Sequence, residues 1–238
     1  MDIGKLTQYL SGMSRALATG DSEAPRHFPF VAISRQTGAG GHSLAEAILR
    51  EMEKKADSDL FRGWQMFDEE ICRKISANPK LKVLMDSLLA EKFRTGMEDL
   101  LTHAIAGVSS QDEVIGEIFR MFRDVARVGK CVLVGRGAAS LLRRHPRGVF
   151  VRVIAPIEAR TARMTIRLNA DRETALTHIQ QQDTDRTRLV RRYFDQDVGD
   201  PLLYDCVWNT GNVPIEVVAR AVVALVEERA RNASPIGL

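Results

Sequence analysis

Apolar positions recur along the chain in two styles: short unbroken runs, and longer stretches with a single apolar face. Phe30–Ser34 is the first unbroken run. It does not alternate with polar residues, so it predicts a strand buried on both faces. Trp64–Phe67, Cys131–Val134, Val149–Ile154 and Cys206–Asn209 read as four further short, mainly apolar strands. Between the runs the period changes to that of a helix. Leu44, Ala47, Ile48 and Met52 share one face of a helix over about 43–55. Asp68 is placed to N-cap a helix over 69–76. Residues 78–128 read as mostly helical, with Leu81, Leu84, Met85, Leu88 and Leu89 on one face and Met97, Leu100, Leu101 and Ile105 on another. Gly107–Ser110 breaks that pattern, and Ser110 with Glu113 forms a capping box for a helix over 111–128, which Gly129 ends. A helix to Arg144 follows the third strand. Pro156 then opens a helix over about 157–168. Further helices are predicted from Asp171 to Tyr193 and over 214–230. Ahead of the first strand, Ile3, Leu6, Leu10 and Met13 mark an amphipathic helix within residues 1–20, and residues 20–28 read as a linker.

Five apolar strands alternating with helices predict an α/β fold, a parallel sheet covered on both sides. Ligands of such sheets bind beyond the carboxyl ends of the strands. The polar clusters fall there: residues 35–43, Asp68, Gly135–Arg136, Ala155–Arg160 and Asn209–Thr210.

Composition narrows the classes. The 238 residues suit one large domain or a core with insertions, and 45% apolar residues bury such a core without disulfides. Cys72, Cys131 and Cys206 are scattered and odd in number, so they read as reduced thiols of a cytoplasmic protein. No C-x-x-C or paired histidine suggests a resident metal. No run reaches the roughly 18 apolar residues of a membrane span, and no signal-peptide core is evident at the N-terminus. A net charge of +3 is too mild to argue for nucleic acid. Every long cationic side chain after Lys130 is arginine, however. A GC-rich genome would produce that bias; so would a need for planar forks that grip phosphate.

The candidate chemistry starts at Arg35-Gln36-Thr37-Gly38-Ala39-Gly40-Gly41-His42-Ser43. Strand, glycine loop and helix together aim backbone N–H groups at an anion. The spacing is nearly that of a P-loop, G-x-x-x-x-G-K-[ST]. Arg35 stands in place of the first glycine and Gly41 in place of the lysine. His42 is the one histidine of five in a candidate site, where it would supply a charge or a neutral hydrogen bond. The hydroxyl of Ser43 is placed to order Mg²⁺. Asp68 suits a substrate hydroxyl or amino group as well as a helix cap. Arg136, between two glycines, is a natural partner for a second substrate's phosphate. Arg160, Arg163 and Arg167 share a helix face, and Asp183 and Arg186 are likewise one turn apart. Such a face is either simply solvated or lies near anions, since aligned cations repel, and a transferring phosphoryl group would supply them. No aromatic residues interleave with these arginines, as a nucleic-acid stripe would require.

In order and spread, the segments Ile33–Ser43, Phe67–Ile71, Val134–Ala138, Ala155–Arg160, Asp183–Arg186 and Tyr204–Thr210 resemble the cytidylate-kinase-like proteins, a branch of the P-loop nucleoside monophosphate kinases. The resemblance implies a P-loop NTPase-type three-layer α/β/α core with a five-stranded parallel sheet over residues 29–230. It also implies a helical acceptor-binding insert over 68–128 and a mobile lid over 156–195, with residues 1–28 and 231–238 outside the domain. It further implies that Arg35, Gly38, Ala39, Gly40, Gly41, His42 and Ser43 hold ATP phosphates, with Ser43 facing Mg²⁺, and that Asp68 and Arg136 orient the acceptor. Arg160, Arg163 and Arg186 would close over the phosphoryl group, with Asp183 fixing a lid arginine. The implied partners are small nucleotides; the resemblance does not fix the phosphoryl acceptor, for which CMP or dCMP is the first candidate. The third strand ends without a Walker-B-type carboxylate, and the lysine is missing. Two other readings therefore stay open: a catalytically silent nucleotide-binding module, and a kinase of another small acceptor.

Overall fold

A computed structural model describes residues 28–77 and 110–232. The expected helix and linker over 1–27, the apolar faces over 81–105 and the tail beyond Asn232 lie outside the described residues. So do the side chains of the Ser110–Glu113 capping box.

Five strands form one parallel sheet: β1 (Phe30–Arg35), β2 (Gln65–Phe67), β3 (Cys131–Val134), β4 (Gly148–Ile154) and β5 (Cys206–Asn209). Their spatial order is β2-β3-β1-β4-β5, so β1 lies in the centre with β3 on one side and β4 on the other. The described helices are α1 (Gly41–Glu53), α2 (Glu69–Ala77), α3 (Ser110–Val128), α4 (Ala138–Leu142), α5 (Ile157–Leu168), α6 (Arg172–Phe194) and α7 (Ile215–Arg231).

The unbroken apolar run of β1 has a direct structural cause. Successive side chains point to opposite faces. Phe30 and Ala32 enter a core with α2, α3 and α4, while Val31 and Ile33 enter a second core with α1 and α7. Two cores flanking one sheet make three layers. The α5–α6 hairpin stands apart, with a small core of its own around Met164, Ala175 and Ile179.

Most element ends fall within a residue or two of expectation, and two of the shifts have a plain cause. Helix α1 begins two residues before Ser43, because Gly40 adopts a left-handed conformation and acts as its N-cap. This puts Gly41, His42 and Ser43 in the first helical turn. Helix α4 ends at Leu142 rather than Arg144. The chain there must turn back into β4, as the 2.7 Å bond from His145 N–H to Leu142 O shows. The strand order also locates the site. The chain runs from β1 toward β2 on one side and crosses from β3 to β4 on the other. The crevice at such a reversal opens beyond the carboxyl end of β1.

Candidate functional site: the glycine loop and its arginines

The loop from Gln36 to Gly40 fills that crevice. Gly38 and Gly40 have φ of 78° and 86°, the left-handed region that glycine enters without strain. Three successive loop carbonyls are taken on one side. Arg160 Nη1 donates to Thr37 O (3.3 Å), Arg163 Nη1 to Gly38 O (3.2 Å) and the Thr210 hydroxyl to Ala39 O (2.8 Å). In a trans peptide the N–H points away from the carbonyl. The N–H groups of Gly38 and Gly40 therefore face away from these donors. No side chain caps α1, so its first-turn N–H groups add to the same positive end.

Asp183 pins the α5–α6 hairpin to this loop. Its Oδ1 accepts from the Thr37 N–H and the Thr37 hydroxyl, both at 2.8 Å. The same oxygen accepts from Arg186 Nη1 at 2.8 Å, and Oδ2 accepts from Arg160 Nη1 at 2.7 Å. Arg186 Nη1 also donates to the Thr37 hydroxyl oxygen at 2.6 Å. Arg160 is buried and anchored further by Nε to Ala155 O at 3.0 Å. Arg163 is tied to Thr210 through Nη2 to its carbonyl at 2.7 Å. The aligned arginines of α5 thus find their acceptors within the protein, while Arg167 stays exposed.

Arg35, Arg136 and Arg186 converge on a cavity of about 140 Å³, which Glu69, Leu189 and Tyr204 also line. Arg136 sits in a left-handed turn, φ 47°, between Gly135 and Gly137. Its guanidinium is held by Glu69 Oε2, with Nε at 2.6 Å and Nη2 on the same oxygen. Arg73 takes the other oxygen of Glu69 at 2.7 Å. Among the described residues none accepts a hydrogen bond or ion pair from the Arg35 guanidinium. Burial, then the charges of Arg186 and Arg136, pull Arg35 down to about 9, still protonated at neutral pH. Burial also pulls Arg186 below its ordinary value; Asp183 opposes this, while Arg136 and Arg152 add to it. Cations crowded together with one of them unpaired leave the cavity short of negative charge.

Asp68 serves both roles that its position allows. Its Oδ1 caps α2 by accepting the Ile71 N–H at 2.9 Å, and its Oδ2 lies 3.1 Å from His42 Nε2. A carboxylate only accepts, so Nε2 carries the proton of this bond. Burial by itself raises the Asp68 carboxyl; the bonds from His42 and Ile71 and the charges of His42 and Arg35 outweigh it and hold it below the ordinary value. Glu69 behaves alike, burial raising it and Arg136 then Arg73 lowering it further. A depressed folded-state pKa contributes stability above the unfolded value and loses it as pH falls through the folded one. The fold is therefore expected to keep its urea midpoint from pH 7 to about 5 and to lose stability below about pH 4, where free Asp and Glu titrate. Asp68→Asn keeps a helix cap but is expected to flatten part of that acid limb; an unchanged limb would mean the His42 bond contributes nothing.

Beneath the cavity, the buried Arg152 reaches Ser34 Oγ at 2.9 Å and the Tyr204 oxygen at 3.5 Å. Tyr204 donates to Val198 O at 2.9 Å. These partners are neutral, so Arg152 adds unneutralised charge behind Arg186. Ser43 is exposed in the first turn of α1. No group of three His, Cys, Asp or Glu side chains able to hold a metal occurs among the described residues. The donor set therefore fits an ion carried mainly by phosphate oxygens and water, with Ser43 as one hydroxyl, rather than a protein-caged metal.

The structure gathers Arg35, Gly38, Ala39, Gly40, Gly41, His42, Asp68, Arg136, Arg160, Arg163, Asp183 and Arg186 around one loop and one cavity. It also brings in residues that the sequence did not single out. Arg152 had a signal, a lone charge inside the apolar run Val149–Ile154. Glu69 did not, because an acid after Asp68 reads as a first-turn helix residue. Thr37 lies in the candidate loop and Tyr204 opens one of the family-like segments, but nothing local gave either a role.

Similarity to known proteins extends over most of the chain. The family model described as the cytidylate kinase-like family matches residues 30–212. A cytidylate kinase of Methanocaldococcus jannaschii is 27% identical over 117 residues, a match that spans 48% of this chain and 66% of that protein. A solved structure of an uncharacterized protein from Eubacterium ventriosum superposes with a TM-score of 0.61 at 18% identity, over 84% of this chain and 98% of that one. A shikimate kinase from Bacteroides thetaiotaomicron gives a TM-score of 0.48 at 14% identity, over 84% and 98%. Among the described residues no helix is long and apolar enough to cross a membrane. With its loop, its sheet order and a family match over most of its length, the chain belongs to the cytidylate kinase-like family.

Proposed function

We propose that this protein transfers a phosphoryl group from ATP to a nucleoside monophosphate, with CMP and dCMP the first acceptors to test. The observation that carries the reading is the uncapped start of α1 behind Gly38 and Gly40, linked through Arg35, which runs over Gly41, and Arg186, which bonds Thr37, to a cavity that these two arginines line with Arg136. ATP would lay its β- and γ-phosphates along the loop N–H groups of residues 38–43, with Mg²⁺ on those phosphates and the Ser43 hydroxyl. Mg²⁺ bound this way neutralises charge on the phosphate oxygens. The acceptor would be oriented by Arg136, preset by Glu69, and by Asp68. Arg186 reaches across from α6 to the equatorial oxygens of the group in flight, where charge is greatest. Asp183, Arg160 and Arg163 hold the α5–α6 hairpin and the loop in mutual register. A closed hairpin keeps water, the competing acceptor, from the reaction.

The His42–Asp68 pair favours a second reading. A monophosphate oxygen is already ionised at neutral pH and needs no base, whereas a hydroxyl acceptor gains from a carboxylate that takes its proton. Asp68, held anionic by His42, suits that task as well. An ADP-release assay over nucleoside monophosphates and phosphate-free hydroxyl acceptors separates the two. The expected result is turnover with a monophosphate, CMP or dCMP foremost. Turnover confined to hydroxyl acceptors would support the second reading, and ATP binding with no transfer to any acceptor would support a silent module.

A further inference from the structure

We propose that Arg35 is the phosphate-binding cation of this loop, moved from the helix position where a P-loop carries lysine to the end of the central strand, and that Gly41 and Gly135 are the two gaps through which it passes. This deepens the nucleotide reading and rests on it. The geometry is specific. A Cβ built on Gly41 would lie 2.9 Å from Arg35 Cγ, 3.0 Å from Cβ and 3.3 Å from Cδ. The Arg35 stem thus runs over the bare face of Gly41. A Cβ built on Gly135 would overlap Arg35 Nη1 and Cζ and lie 2.7 Å from Nη2. The guanidinium therefore lies against the backbone that follows β3. A lysine at position 41 would leave the helix into the same channel, so the channel holds one long cation and not both. The two departures from the P-loop pattern, Arg35 and Gly41, are two halves of one exchange.

The guanidinium is aimed at a ligand rather than at the protein. It lines the cavity with Arg136 and Arg186. Those two have carboxylate partners, Glu69 and Asp183. Arg35 has none among the described residues, although Asp68 and Glu69 lie near enough to be felt. Its place between the end of β1 and the end of β3 lies between the loop that would hold the donor and the arginine that would hold the acceptor. A fork there can touch a terminal phosphate with two parallel N–H bonds, which an ammonium cannot do.

The test compares the full chain with Arg35→Met and with the double variant Arg35→Gly/Gly41→Lys, which restores the lysine spacing. Affinities for ATP and for inorganic tripolyphosphate are measured by calorimetry, and melting temperatures are recorded with and without tripolyphosphate. Arg35→Met is expected to weaken both ligands about thirtyfold or more, as the loss of a charge-assisted fork should. It is also expected to melt no lower than wild type without ligand, since it removes a cation that has no carboxylate partner among the described residues. The double variant is expected to regain binding to within about fivefold, the remainder reflecting a point charge in place of a fork. The proposal is overturned if Arg35→Met binds both ligands like wild type, or if the double variant melts normally yet binds no better than Arg35→Met. A wild-type chain that binds neither ligand would overturn the nucleotide reading itself, and this proposal with it.

Discussion

Arg186→Ala is expected to lower kcat by about a hundred- to a thousandfold, while ATP affinity falls by less than about tenfold. One preorganised donor to a charge that grows in the transition state is worth about 3–4 kcal/mol. Arg186 fits this description better than its neighbours on α5. Its Nη1 is held by Thr37 and Asp183, which fixes the side chain, and the residue lines the cavity. Arg160 and Arg163 instead donate to the loop's own carbonyls. A resting anion contacted by Arg186 would be bound tightly before reaction, and kcat and affinity would then fall together. Steady-state kinetics with the accepted monophosphate, paired with equilibrium ATP binding, tell these apart. Equal losses in both would count against a transition-state role. Arg186→Lys keeps the charge but not the fork and is expected to recover little of the rate.

Asp183→Ala is expected to act first on the fold. Removing the carboxylate leaves Arg160 charged and buried, with only the carbonyls of Ala155 and Thr37, and leaves the Thr37 N–H without its acceptor. Breaking such a pair by truncating one partner costs roughly 3–5 kcal/mol when both are buried. The carboxylate is 28% exposed, so about 2–4 kcal/mol is the fitting range. For a domain of this size that corresponds to a fall in Tm of about 5–15 °C. Asp183→Asn keeps one acceptor and is expected to recover part of it. A differential scanning calorimetry trace for Asp183→Ala within a degree of wild type would show that the pin contributes nothing. Activity is expected to fall as well, because the same carboxylate positions Arg186. Measurements well below the lowered melting point isolate that second effect.

The two expectations concern one piece of architecture. The α5–α6 hairpin shares little apolar core with the sheet, since its own cluster is confined to a few residues around Met164 and Ile179. Its attachment to the loop runs largely through polar contacts at Thr37, Gly38 and Thr210. Polar contacts in partial contact with water exchange readily for bonds to water. Farther along, α6 is also held by apolar contact, with Tyr193 and Phe194 meeting Phe119 of α3 at ring-centroid distances of 5.4 and 5.2 Å.

Much of the fold followed from local pattern. Short apolar runs marked all five strands of the one parallel sheet; the central β1, unbroken from Phe30 to Ile33, is buried on both faces, whereas the edge strands β2 and β5 are only partly covered. Helix periods placed the described helices within a few residues of their ends, because a helix face is a local property. Strand, glycine loop and helix at 30–53 were legible for the same reason. The loop's conformation depends on Gly38 and Gly40, and φ near 80° at those positions is something the residue type itself permits.

What the sequence could not settle was where each charge would end. Arg136 and Glu69 stand 67 residues apart, and Asp183 and Thr37 stand 146 apart. Their pairing depends on the order of strands in the sheet and on the packing of α6 over the loop, neither of which a local period encodes. The arginines of α5 share a face, as the 3.6-residue period demands. Only the tertiary structure decided that this face would brace the loop's carbonyls. Arg35 shows the division most plainly. The sequence by itself determined that an arginine replaces a glycine and that a glycine replaces a lysine. The packed structure decided that the two replacements meet: a strand end, a helix start and the turn after β3 leave between them a channel wide enough for one long cationic side chain.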